Sequence, residues 1–262
     1  MSHPAVAAPR RPDVVAAAVR SLAGQLPGPG RYCLAYGSHA TGTNGTCSDL
    51  DVLQVTPSRP SPEQARRFQD AVIRLHHDHG LHLDTEVCFE VKLIATHDDV
   101  LAALDHVPFP SPSDPEHPLA PAVPADPAFL NSAVFQQRLI LNVLTSPNVF
   151  LGGDLGVYTR HTCAADASLA LLAMRIMADR RQRAGLAGFT LDEALDAVLH
   201  GPGGATGEDY LGYHPSAWLL GTLNRGLHRL IAAGIADHER SEIYRPGPGW
   251  VGTATSTADA HS

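Results

Sequence analysis

The sequence predicts an α+β fold, with a small mixed sheet flanked by helices in the N-terminal part and helices alone in the C-terminal part. Three observations carry this. Short apolar runs of strand length alternate with helix-period segments through the first part of the chain. Eight prolines then crowd into residues 108–127, which excludes helix and central strand there. Beyond them the apolar spacing is helical throughout.

The elements follow in order. "DVVAAAVRSLAGQL", residues 13–26, has apolar side chains at helical spacing and is stopped by "PGPG" at 27–30. "RYCLAY" predicts a strand. "SPEQARRFQDAVIRLHHDHG" predicts a helix with Ser61 as N-cap, Pro62 in the first helical position and Gly80 as its stop. In "LHLDTEVCFEVKLIA", residues 81–95, Leu81, Leu83, Thr85, Val87, Phe89, Val91 and Leu93 alternate with His82, Asp84, Glu86, Cys88, Glu90 and Lys92, which predicts a long strand with one apolar and one polar face. A short helix, "HDDVLAALDHV", closes the first part. Helices are then expected at about 128–145, 164–184, 190–199 and 215–237, the third with a capping box of Thr190 and Glu193 and a stop at Gly201. The domains read from this are 1–107, a Pro-rich linker at 108–127, a helical region at 128–245 and a Gly/Ser/Thr/Ala tail at 246–262.

Bulk composition narrows the function. Of 262 residues, 44% are hydrophobic, enough for a sizeable core. The formal net charge is −8 and no basic stripe is present, which argues against nucleic-acid binding through counterion release. Cys33, Cys47, Cys88 and Cys163 lie far apart with no ligand or framework spacing, as reduced thiols would. With neither a signal-peptide pattern nor a membrane-length apolar run, the expectation is a cytoplasmic protein that does not contact a membrane.

The chemistry concentrates in "AYGSHATGTNGTCSDLDVLQV", residues 35–55. Side chains at i and i+2 of a strand share a face, so Asp49 and Asp51 project together while Leu50 and Val52 face the core. Two carboxylates so close repel unless a cation lies between them. Oxygen ligands without imidazole or thiolate favour a hard ion such as Mg²⁺, which keeps positions open for phosphates. Gly37 and Ser38, just after a strand, give backbone N–H groups and a hydroxyl close access to phosphate oxygens.

Tyr36-Gly37-Ser38, ten intervening residues and Asp49-Leu50-Asp51-Val52 together resemble the signature of the DNA-polymerase-β-like nucleotidyltransferases. In outline the chain is most similar to the antibiotic-modifying members, of aminoglycoside and lincosamide type. The resemblance implies the nucleotidyltransferase fold for residues 1–107 and a third acid on a later strand, for which "LDTEV" offers Asp84 or Glu86. It makes Asp49, Asp51 and Asp84 metal ligands, with Asp84 or Glu86 nearest the acceptor as ligand or general base. Gly37, Ser38 and Ser48 would bind nucleotide, and Gly42 also fits the pattern. One departure is Thr41, where an arginine is often found.

The activity implied is Mg²⁺-dependent transfer of a nucleoside monophosphate, AMP from ATP by resemblance, onto a hydroxyl, with one or two ions and release of pyrophosphate. The acidic charge favours a small hydroxylated acceptor, an antibiotic or a metabolite, over the nucleic-acid branches. A protein AMPylator and a non-catalytic nucleotide sensor are the alternatives. Lys92, Arg138, Arg175, Arg180 and Arg181 are possible phosphate partners, although Lys92 stands about 20 Å along the strand from Glu86. Glu208 and Asp209 would suit a cationic aminosugar; Tyr210, Tyr213 and Trp218 form either an aromatic wall or core. The cluster His76-His77-Asp78-His79 reads as cations favoured at a helix C-terminus, since consecutive helix positions diverge.

Overall fold

The strand expected in "RYCLAY" is β1, Tyr32–Tyr36, and all five of its side chains are buried. An unbroken apolar run suits a central strand covered on both faces. β1 pairs antiparallel with β2, Asp51–Thr56, and β2 pairs in parallel with β3, Ile94–Thr96. The other edge of β1 takes β4, Val149–Gly153, antiparallel. The result is a mixed four-stranded sheet of order β3-β2-β1-β4. The computed structural model describes residues 12–22, 28–42, 48–83, 94–105, 133–184, 188–200, 216–239 and 243–247.

The helices of this part are α1, Pro12–Leu22, α2, Gly37–Thr41, α3, Pro62–Asp78, α4, His97–Asp105, and α5, Ala133–Thr145. Val14, Ala18 and Leu22 of α1 and Phe68, Ala71, Val72 and Leu75 of α3 form one core with Cys33, Ala35, Leu50 and Val52 of the sheet region. Both ends of α3 follow the sequence reading. Ser61 Oγ accepts from the Gln64 N–H and Gln64 Oε1 accepts from the Ser61 N–H, a full capping box with Pro62 behind it. At the other end Gly80, at φ +60°, lets its N–H reach the His77 carbonyl and the Leu81 N–H reach that of His76. This is the Schellman arrangement, in which a left-handed residue satisfies the last carbonyls of a helix.

Two expectations for this region change. The alternation over 81–95 does not give a strand at Leu81–Leu83, residues 84–93 lie outside the described residues, and Ile94–Thr96 form β3. Residues 149–153, in the stretch read as helices only, are β4. That run is short and ends in Gly152-Gly153, too brief for a helix and open enough for tight pairing. A Cβ on Gly153, at φ +104°, would stand 2.2 Å from the Arg31 carbonyl oxygen, so the close approach to β1 requires glycine. Tyr158 then packs edge-on against Tyr32, with ring centroids 5.6 Å apart.

Asp154 joins this edge to the next helix. Its Oδ1 accepts from the Val157 N–H at 3.0 Å, capping α6, Leu155–Ala184, and its Oδ2 accepts from the Gly30 N–H at 3.1 Å. That cap explains why α6 starts well before the expected residue 164. The bonds from Val157 and then Gly30 hold the Asp154 carboxyl below the usual carboxylate pKa. A depressed folded pKa gives stability that is present above the unfolded value and lost as pH falls through the folded one. Asp154→Asn should therefore lower the thermal midpoint at pH 7, and the gap to wild type should narrow below about pH 4; an equal gap at pH 3 and pH 7 would refute this origin.

The later elements are α7, Leu191–His200, α8, Ser216–Ala232, and the antiparallel pair β5, Ala236–Glu239, and β6, Ile243–Pro246. The expected capping box of α7 is present: Glu193 Oε2 accepts from the Thr190 N–H and Thr190 Oγ1 from the Glu193 N–H. The helix expected to reach 237 stops earlier, because Gly234, at φ +71°, sends the Ile235 N–H back to the Leu230 carbonyl and frees the chain to form β5. Asp166 of α6, 6% exposed, receives two bonds from Arg225 of α8, at 2.9 and 3.3 Å. Next to that pair Gly226 meets α6 so closely that a Cβ would lie 2.0 Å from the Asp166 carbonyl oxygen and 2.7 Å from Ala170 Cβ.

The chain divides into two compact units, Met1–Ala102 with Pro127–Arg160, and Ala103–Asp126 with His161–Ser262. The first therefore takes in α5 and β4, beyond the 108–127 boundary, because β4 completes its sheet. No described helix is long and apolar enough to cross a membrane. Cys33 and Cys163 are free thiols.

Candidate active site

Antiparallel pairing sets the end of β1 against the start of β2: Tyr36 and Asp51 are register partners. The Gly-Ser after β1 and the aspartates at the head of β2 thus come to the same end of the sheet. At Gly37 the chain turns into α2 with φ +69°, a conformation that side chains rarely adopt. A Cβ there would stand 2.2 Å from Asp51 Oδ2 and 3.1 Å from its Cγ. The Asp51 carboxylate consequently lies directly over the Gly37 α-carbon.

Alternation around Asp51 is as expected. Leu50 and Val52 are buried in the core, while Asp49 and Asp51 are partly exposed, as are Ser38 and Ser48. Asp49 precedes the strand, which opens at Asp51. Thr41 turns its hydroxyl back on its own helix, donating to the Gly37 and Ser38 carbonyls at 3.3 and 3.2 Å. A neutral hydroxyl thus stands where the resembled pattern often has a cation.

Two residues beside the aspartates do not belong to the expected set of site residues. Tyr36 is one. Burial first, then the negative charges of Asp51 and Asp49, push its phenol well above its ordinary pKa. Both carboxylates therefore act on one phenol, which stays neutral at working pH. Its only sequence signal was its place as the hydrophobic residue before Gly-Ser.

His76 is the other. It is 3% exposed, its Nε2 accepts from the Leu50 N–H at 3.0 Å, and its Nδ1 lies 2.8 Å from the Val72 carbonyl. Accepting at Nε2 and donating at Nδ1 requires the neutral ring. The reading of His76 as a helix-end cation is therefore corrected.

Asp84, Glu86, Lys92, Glu208, Asp209, Tyr210 and Tyr213 lie outside the described residues, as do the side chains of Arg138, Arg180 and Arg181. Arg175 is exposed on α6, and half-exposed Trp218 faces Arg225, whose guanidinium carbon is 5.9 Å from the ring centroid. Among the described residues no three His, Cys, Asp or Glu side chains form a metal-holding group. Asp49 and Asp51 are the two carboxylates of the expected set that the described residues contain. No protein-family model, curated protein or solved structure matches the chain.

Proposed function

We propose that the chain is a nucleotidyltransferase, moving a nucleoside monophosphate, AMP from ATP, onto a hydroxyl of a small acceptor such as an antibiotic or metabolite. One observation carries the reading. The Asp51 carboxylate occupies the space a side chain at position 37 would fill, so the Gly-Ser turn and the aspartate pair form one constellation although ten residues separate Ser38 from Asp49.

The donor set fits magnesium: two carboxylates, partly exposed, with the neighbouring phenol neutral and the nearby imidazole engaged with backbone. Asp49 and Asp51 would hold the ion, with Asp84 or Glu86 as the third acid. When bound, Mg²⁺ supplies charge stabilisation for the phosphoryl oxygens. The side-chain-free Gly37 makes room for the Asp51 carboxylate, while backbone N–H groups of the turn and the Ser38 hydroxyl would donate to phosphate. Tyr36, remaining protonated, adds no third negative charge beside a polyanion.

The test is to incubate the protein with Mg²⁺, each of the four ribonucleoside triphosphates and a panel of aminoglycosides and lincosamides, and to record pyrophosphate. Release requiring one nucleotide, one acceptor and both aspartates is expected. Metal-dependent nucleotide binding with no turnover on any acceptor, protein included, would favour the sensor.

Gly37→Ala provides a check that removes no functional group. A methyl there must displace the Asp51 carboxylate, and the left-handed backbone costs an alanine about 1–2 kcal/mol. Pyrophosphate release should fall at least ~100-fold, since ~1 Å of misplacement costs that much, with only a modest drop in thermal midpoint. Full activity in a folded Gly37→Ala protein would separate the turn from the chemistry.

A further inference from the structure

We propose that His76 is a positioning residue, whose neutral imidazole sets the direction of both metal-holding aspartates by gripping the peptide group between them. The inference rests on the reading of Asp49 and Asp51 as the acids of the transfer site. Leu50 N–H belongs to the peptide that links Asp49 to Leu50, one residue before Asp51. Rotation of that peptide would redirect the Asp49 side chain relative to Asp51. The strand ladder gives no help, since the β1–β2 register begins at Tyr36↔Asp51. A side chain from α3 takes the Leu50 N–H instead.

His76 is well placed to hold that peptide still. Nδ1 is tied to the Val72 carbonyl in its own helix. Its carbonyl accepts the Leu81 N–H in the Schellman turn at Gly80. Val72 and Leu75 on the same helix are buried in the core that also encloses the Leu50 side chain. Leu50 is thereby fixed by its side chain from the core and by its amide from His76, and the flanking carboxylates inherit that rigidity. Partners of this kind, which touch the ligand-bearing segment rather than the metal, commonly change metal affinity or activity by ~10–100-fold when removed.

The test compares the full chain with His76→Phe, which keeps bulk but has no acceptor, and His76→Gln, whose Oε1 can accept near the place of Nε2. Mn²⁺ binding is followed by electron paramagnetic resonance with no nucleotide present, together with kcat and KM for pyrophosphate release and the thermal midpoint. Expected in His76→Phe are ~10-fold weaker Mn²⁺ binding and a similar loss of kcat with the KM for nucleotide little changed. His76→Gln should recover most of both.

A folded His76→Phe protein with wild-type Mn²⁺ affinity and kcat would reduce His76 to packing and overturn the proposal. Should His76→Phe fail to fold, nitrogen NMR of the wild type decides. The Nδ1–H tautomer with a slowly exchanging Leu50 amide supports the proposal, and the Nε2–H tautomer overturns it. Mn²⁺ binding that needs Asp49, Asp51 and His76 without pyrophosphate release on any acceptor would sink the transferase reading and leave the positioning role standing. Binding indifferent to both aspartates would sink both.

Discussion

Asp51→Asn should cut pyrophosphate release by ~10³-fold or more while leaving the thermal midpoint unchanged or slightly raised. Stabilisation of phosphoryl charge by a held metal is several kcal/mol, and each ~1.36 kcal/mol is tenfold in rate. The amide is nearly isosteric, so it fits the space over Gly37 that admits no side chain. It also removes a negative charge near Asp49 and the buried Tyr36 phenol, whose raised pKa records that both carboxylates are felt there. Relief of like-charge repulsion stabilises the fold without metal. Asp49→Asn should behave alike. Loss of activity together with a large fall in midpoint would mean that the aspartates serve structure, and retained activity would remove them from the mechanism altogether.

Gly226→Ala is the second expected large effect, and its sign depends on two opposing terms. In an exposed helix interior, alanine is better than glycine by about 1 kcal/mol. Here the new Cβ would meet the Asp166 carbonyl oxygen at 2.0 Å and Ala170 Cβ at 2.7 Å. No side-chain rotation relieves a clash with backbone, so α8 must move away from α6. Overpacking of this kind costs about 1–3 kcal/mol and sometimes more. Moving the helices also stretches the Arg225 bonds to Asp166, a buried carboxylate that is costly to leave unpaired. At about 2–4 °C per kcal/mol, the unfolding midpoint followed by circular dichroism should drop by ~5–10 °C. A rise instead would show that the helices separate freely and that the crossing at Gly226 is loose.

Local signals were legible where neighbouring residues decide the outcome. Ser61 with Gln64, Thr190 with Glu193 and Gly80 specify helix ends through bonds spanning only a few residues. Burial of Leu50 and Val52 beside partly exposed Asp49 and Asp51 is the pattern that alternation predicts, although β2 itself opens at Asp51. What escaped depends on distant partners. β4 exists because β1 has a second edge to satisfy, and its five residues carry no periodicity long enough to announce a strand. The end of α8 at Gly234 is locally encoded, but apolar residues continue beyond it and mask the stop. His76 gave no usable signal: its imidazole acts on Leu50, 26 positions away, and sequence spacing cannot reveal which nitrogen faces a strand that has not yet been placed.

The position of β4 in the sheet has a consequence for synthesis. Ala35 finds its partner Val149 only after the Pro-rich segment and α5 have been made. At ribosomal rates of about 5–20 residues per second, β1 is left with one bare edge for on the order of 10 s. An unpaired apolar strand is a template for other chains during that time. A nascent chain cut off before β4 should therefore be the most aggregation-prone intermediate of this protein, and slowing translation within the proline run should lengthen its exposure. The Gly153 approach and the Asp154 bond to Gly30 close that interval by sealing the strand to its partner.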